Sequence, residues 1–336
     1  MAFLRCFGYK VRRAGVADVR VFAEGVKDDQ LDCTMIADVT TYTSDELKKY
    51  TMNFSNINLI ACGGFSRIYL AKFPDSTPRA VKIMDRSSER LNRIYKQELE
   101  ILVQLQHDNI VKLLYHCDDD EFGNMLVLEY VPNGTLQDKL HGNRDTTLSW
   151  RNRMTVAFQL AQAIEYLHDK CPLQIVHGDI KSSNILLDDQ FNCKLCDFGS
   201  ANMGFSSSVS PPTTNRVMLG SPGYTDPHYL RTGIASKKND IYSFGIIILE
   251  LISGLEAFSS DSGERLILKA APILKNVSKV AEIVDPRLDR NYVLEEAKAM
   301  VTLATLCLSD FPSLRPSAYE ILENMRIRIS SISLPK

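Results

Sequence analysis

Hydrophobic positions follow two different rhythms along this chain. Between about residues 54 and 131 they come in short runs: "INLIAC", "SRIYLAKF", "RAVKIMD", "IVKLLYH" and "NMLVLEYV". Gly, Pro, Asp or Asn separates them, a pattern that predicts β-strands. One stretch in this half, "SERLNRIYKQELEILVQLQ" at 88–106, instead repeats Leu91, Ile94, Ile101, Leu102 and Leu105 at helical spacing. From about 135 the helical rhythm takes over. "WRNRMTVAFQLAQAIEYLH" carries Met154, Ala157, Ala161, Ile164 and Leu167 on one face. "DIYSFGIIILELISG", "EEAKAMVTLATLCL" and "SAYEILENMRIRI" follow. The expected architecture is α+β and bilobal. A small β-sheet lobe with one main helix precedes a larger, mainly helical lobe, and "EYVPNG" at 129–134 is the crossing. Residues 1–53 show no clear period and read as a partly ordered extension; 330–336 read as a tail. We find no internal repeat of roughly 20–50 residues.

One polar residue breaks the pattern of the 88–106 helix. Glu98 falls on the apolar stripe, whereas Glu100 aligns with Arg93 and Lys96 on the polar side. A carboxylate inside a core-facing stripe is costly unless a cation meets it. Lys82 in "RAVKIM" is a candidate partner. The plainer alternative leaves Glu98 at the wet edge of the stripe.

Composition narrows the function classes. The 336 residues are 45% hydrophobic and 24% charged, ordinary for a globular protein. A net charge of −2 supplies no basic field, so nucleic acid is a poor partner. No apolar run approaches the roughly 18–20 residues that span a bilayer; "FGIIILELI" at 244–252 is too short and contains Glu250. The first residues, "MAFLRCFGYKVRRAG", do not make a secretory signal. Cys6 beside Lys10, Arg12 and Arg13 suits palmitoylation and peripheral membrane contact, but a solvated tail is the plainer reading. The eight cysteines read as reduced thiols. Cys193 and Cys196 flank an expected strand and read as small core residues rather than metal ligands.

The chemistry concentrates in three places. "HGDIKSSN" at 177–184 sets Asp179, Lys181 and Asn184 side by side. Asp197-Phe198-Gly199 follows shortly after. Upstream, "LIACGGFSRIYLA" is a glycine-bearing turn between two strands, a shape that lets backbone N–H groups approach phosphate oxygens. Taken in order with "AVK" ending at Lys82, Glu98, "GSPGYTDPHY" and "NDIYSFG", these elements resemble the protein kinase family over about residues 54–329. "YTSDELKKYTMNFS", "LVLEYVPNGTL", "IVDPRL" and "RPSAYEIL" bring the likeness closest to plant receptor-like cytoplasmic kinases.

The resemblance implies a kinase domain at 54–329, with lobes at 54–131 and 132–329, using ATP and Mg²⁺. It implies a phosphate-covering loop of Ile60, Ala61, Cys62, Gly63, Gly64, Phe65, Ser66, Arg67 and Ile68. Lys82, paired with Glu98, would hold the α- and β-phosphates. Adenine would lie among Ile60, Ile68, Ala80 and Leu186, bonded to the backbone of Glu129 and Val131, with Leu128 at the back. Asn184 and Asp197 would hold Mg²⁺. Asp179 would accept the proton of the acceptor hydroxyl and Lys181 would lie near the γ-phosphate. "DIKSSN" resembles the serine/threonine class. The implied partners are a protein substrate and a membrane receptor kinase, and the implied location is cytoplasmic.

Three departures favour a rival reading, a pseudokinase or scaffold. Ala61 and Ser66 replace two loop glycines. Gly178 stands where the family usually has an arginine that grips a phosphorylated activation segment. His228 replaces a glutamate that would pair with Arg315, so Arg315 needs another acceptor or the junction is weaker. The run "SSSVSPPTTN" at 206–215 reads as a solvated loop or as a regulatory site.

Overall fold

A computed structural model describes residues 42–63, 66–84, 88–119, 123–142, 147–204 and 220–332. The expectations for Gly64, Phe65, the Cys6 region and the 206–215 run lie outside these residues.

The first lobe comprises helix α1 (Ser44–Tyr50), strands β1 (Leu59–Cys62), β2 (Ser66–Lys72) and β3 (Pro78–Met84), helix α2 (Glu89–Leu102), and strands β4 (Leu113–Asp119) and β5 (Gly123–Glu129). The strands form one antiparallel sheet in the order β1-β2-β3-β5-β4. Alternation along β3 and β5 sends Val81, Met125 and Val127 to one face and Ala80, Leu126 and Leu128 to the other. Both faces are covered, which explains the unbroken apolar run of β5.

Helix α1 covers the first of these faces. Leu47 is fully buried there with Ala71, Phe73, Val81, Met125 and Val127. Thr43 and Glu46 close its start with a reciprocal capping box. Among the described residues, Tyr42, Leu47 and Tyr50, all before residue 54, pack on this face of the lobe. Helix α2 ends earlier than expected. After Leu102 the N–H groups of Gln104 and Leu105 bond three residues back, to Ile101 and Leu102, and so tighten the last turn.

The second lobe contains α3 (Leu136–His141), α4 (Trp150–Glu165), the short strands β6 (Ile175–Val176), β7 (Ile185–Leu187), β8 (Cys193–Leu195) and β9 (Asn202–Met203), then α5 (Pro227–Thr232), α6 (Lys237–Ser253), α7 (Leu266–Lys275), α8 (Leu294–Cys307) and α9 (Ala318–Arg328). β6 pairs with β9 and β7 with β8. Every residue of α6 from Asp240 to Ser253 is buried, so this helix is the post around which the lobe packs. That burial accounts for its long apolar run. Among the described residues no helix is long and apolar enough to cross a membrane. Ser330 and Ser331 are tied down as well, since both bond to the Glu296 carboxylate.

Candidate active site

Strand β3 and helix α2 bring Lys82 and Glu98 together. Glu98 lies on the buried stripe of α2 with Leu91, Tyr95, Ile101 and Leu102. Lys82 Nζ donates to Glu98 Oε1 at 2.7 Å and Oε2 at 2.8 Å, and to Asp197 Oδ1 at 2.9 Å. Burial opposes the ammonium charge of Lys82, but the fields of Glu98 and Asp197 outweigh it and raise its pKa. In return Lys82 holds the Asp197 carboxyl below the usual carboxylate range. Glu98 is 1% exposed, so the wet-edge alternative is excluded.

Asp197 is presented by a strained turn. Its own backbone has φ +66°, in the left-handed region. Phe198, fully buried, packs edge-on against His177. Within this turn, Gly199 lies where an added Cβ would stand 3.1 Å from Ile94 of α2, so a larger residue would require the Ile94 side chain to give way. Gln97 of α2 also donates its amide to the Ala201 carbonyl.

The 177–184 segment forms a second cluster. Asp179 Oδ2 accepts from Lys181 Nζ at 2.7 Å, and Asp179 Oδ1 accepts from Ser221 Oγ at 2.8 Å. Lys181 also donates to Ser221 Oγ at 3.0 Å. Asn184 Nδ2 donates to the Asp179 carbonyl at 2.9 Å. A cavity of about 180 Å³ opens here, lined by Gly178, Asp179, Ser200, Gly220 and Ser221. His177 accepts the Asp179 N–H at Nδ1, so its Nε2 is the nitrogen that donates to the Cys196 carbonyl.

Asp240 of α6 holds this segment from behind. It is 1% exposed and takes the N–H groups of His177 and Gly178, each at 2.9 Å, together with His168 Nε2 at 2.8 Å. Its role was not evident from the sequence, because the partners lie more than 60 residues away. Gly178 has φ +79°, and a Cβ there would meet the Ser200 carbonyl oxygen at 2.9 Å.

The remaining expected residues flank these clusters. Ala80, Leu128 and Val131 are buried in one continuous core, against which Ile68 and Leu186 pack. Ile60, Ala61, Cys62 and Gly63 are exposed, as is Arg67, while Ser66 is half-buried. The Gly63 N–H closes the turn by bonding to the Ser66 carbonyl at 2.8 Å. The Glu129 carboxylate takes Lys194 Nζ at 3.0 Å and the Lys112 N–H at 2.9 Å. Burial raises both the Cys193 and the Cys196 thiols, that of Cys196 to about 12. Arg315 does find another acceptor in place of residue 228: it pairs with Asp226 through both carboxylate oxygens.

A family model described as the protein kinase domain matches residues 54–325. The chain belongs to the protein kinase family. A probable receptor-like protein kinase of Arabidopsis thaliana is 51% identical over 88% of this chain and 90% of its own length. The salt tolerance receptor-like cytoplasmic kinase 1 of Oryza sativa subsp. japonica is 42% identical over 98% of this chain and 93% of its own. A probable serine/threonine-protein kinase of Arabidopsis thaliana is 34% identical over 93% and 75%. This protein kinase is of the serine/threonine type, acts on protein substrates, and has the kinase rather than the pseudokinase character. Kinase domains in general use ATP and a divalent metal.

Proposed function

We propose that the two clusters divide the work of phosphoryl transfer between them. Lys82, fixed by Glu98, binds the α- and β-phosphates of ATP. The loop 60–68 covers the phosphates. Adenine lies among Ile60, Ile68, Ala80 and Leu186 and bonds to the backbone of Glu129 and Val131, with Leu128 behind it. The observation that carries the reading is Lys82 Nζ bonded at once to Glu98 of α2 and Asp197 after β8. One buried ammonium thus joins both lobes.

Asp197 and Asn184 offer a carboxylate and an amide oxygen. Such hard donors suit Mg²⁺ when phosphates complete its shell, and the bound ion would offset charge on the transferring group. Lys181 fixes the rotation of the Asp179 carboxylate through Oδ2. Asp179 Oδ1, bonded here to Ser221, is the oxygen that a substrate hydroxyl would share. As the hydroxyl oxygen bonds to the γ-phosphorus, the bond from that phosphorus to the β–γ bridging oxygen breaks and ADP leaves, while Asp179 takes the hydroxyl proton. Lys181 then lies close enough to neutralise charge on the γ-phosphoryl oxygens.

The test uses Mg²⁺, labelled ATP and a generic protein acceptor. The expected result is transfer by the wild type and about 100-fold less by Asp179→Asn. Equal, negligible transfer by both would reject the assignment.

The name of the rice relative supports a cytoplasmic location and an upstream receptor kinase as partner. The Cys6 region is proposed as a peripheral membrane contact only if Cys6→Ser moves the protein from the membrane to the supernatant fraction. The functional unit is proposed as residues 54–329 with 42–53 packed on it as a strut.

A further inference from the structure

Three helix ends meet at one buried carboxylate. Glu296, in the first turn of α8, is 3% exposed. Its Oε2 accepts from Trp150 Nε1, at the start of α4, at 2.7 Å and from Ser331 Oγ at 2.6 Å. Its Oε1 accepts from Ser330 Oγ at 2.8 Å and from the Ser331 N–H at 2.9 Å. Both serines lie just past the end of α9. Burial alone would raise the Glu296 pKa, but the bonds from Ser331, Trp150 and Ser330 bring it below the ordinary value. The carboxylate is therefore ionised at neutral pH.

Two of its four donors are hydroxyls, and a hydroxyl loses its proton when it is esterified. As a dianion, a phosphoserine offers only acceptor oxygens. Set against an ionised, buried carboxylate, it meets like charge with no proton to share. The serines are also reachable, since Ser330 is exposed and Ser331 half-buried. They close the run "RIRISS" (326–331), in which Arg328 stands two residues before Ser330 and three before Ser331. Arg326 and Arg328 are exposed, and guanidinium groups are strong partners for a phosphate on the solvent side. The residue before the pair, Ile329, is buried and lines a groove between α8 and α9 with Met300, Leu303, Leu306 and Met325.

We propose that Ser330 and Ser331 form a phosphoacceptor site for an arginine-directed serine/threonine kinase, and that modification of either one releases the chain after α9 from Glu296. In the transfer, the serine oxygen bonds to the γ-phosphorus of ATP. The bond from that phosphorus to the β–γ bridging oxygen breaks and ADP leaves, while the hydroxyl proton passes to the catalytic carboxylate of the modifying kinase. The phosphate then turns outward to the arginines, Glu296 keeps Trp150 as a donor, and Ile329 loosens from its groove. The proposal does not depend on the role given to Asp179.

Trp150 is the single tryptophan of the chain, so its fluorescence reads this cluster without a label. The target is the full-length Asp179→Asn chain, chosen to suppress its own transfer, incubated with Mg²⁺, ATP and an arginine-directed kinase. Peptide mass mapping should find phosphate on Ser330 or Ser331. The Trp150 emission maximum should move to longer wavelength, and amide exchange at 330–332 should speed up by about tenfold or more. With Ser330→Ala and Ser331→Ala combined in one chain, the same treatment should leave the emission unchanged. In Glu296→Gln, which has no charge to repel the phosphate, modification should speed exchange much less. Absence of phosphate from both serines overturns the proposal. So does a phosphate there that leaves emission and exchange as they were, or one that acts equally in Glu296→Gln. If Glu296→Gln does not fold, the comparison of modified and unmodified chains decides alone.

Discussion

At the scale of single residues, the strongest statements concern charges that have left water. Asp240 is the clearest. Burial alone would raise its pKa, but the His168 hydrogen bond, the His168 and His177 fields and the Gly178 N–H bring it below the ordinary value. A carboxyl with a depressed folded-state pKa stabilises the protein above its unfolded pKa, about 3.9. That stabilisation is lost as pH falls through the folded value. Melting temperature should therefore drop more steeply below about pH 4 in the wild type than in Asp240→Asn. At neutral pH the same variant should be less stable by about 3 kcal/mol, read by urea denaturation. Parallel acid limbs for the two proteins would contradict the assignment. Glu98 shows how far a sequence can go at this scale. Its place on an apolar stripe raised a buried carboxylate as one of two readings, with Lys82 of the adjoining strand as candidate cation, and burial decides between them. Asp226 could not be read in the same way, because its partner is 89 residues distant and nothing local marks the pairing.

Among the elements, α1 separates what periodicity reveals from what it hides. The helix buries one full side chain, Leu47, so it leaves no repeating stripe to detect. Its stability comes from the capping box and from the aromatic group around it: Tyr42 and Tyr50 both pack against Phe73. Leu47→Ala should cost about 2–5 kcal/mol, measured as a shift of the urea midpoint at constant slope. A chain starting at residue 54 should melt lower than one starting at residue 42. Equal melting of the two would show that α1 adds nothing. Longer elements were legible for the opposite reason. α4 and α8 repeat their buried positions over several turns, and β5 is apolar on both faces because both are covered. α3 and α5, each of six residues, are too short to show a period. Pro272 interrupts the pattern of α7.

At the scale of the whole molecule, one buried apolar cluster runs through both lobes, and Lys82 of the first is ion-paired with Asp197 of the second. A ligand that binds there should stiffen the assembly. Saturation with ATP and Mg²⁺ at about 100 times Kd adds about 2.7 kcal/mol, and the melting temperature should rise by about 5 °C. Lys82→Met should abolish most of that rise and lower turnover about 100-fold or more. An undiminished rise in the variant would remove Lys82 from the nucleotide site. Gly178 also limits what its own position can hold. Any side chain there would set its first carbon 2.9 Å from the Ser200 carbonyl oxygen, on a backbone with φ +79°. A Gly178→Arg variant therefore fits only after the neighbouring turn has shifted.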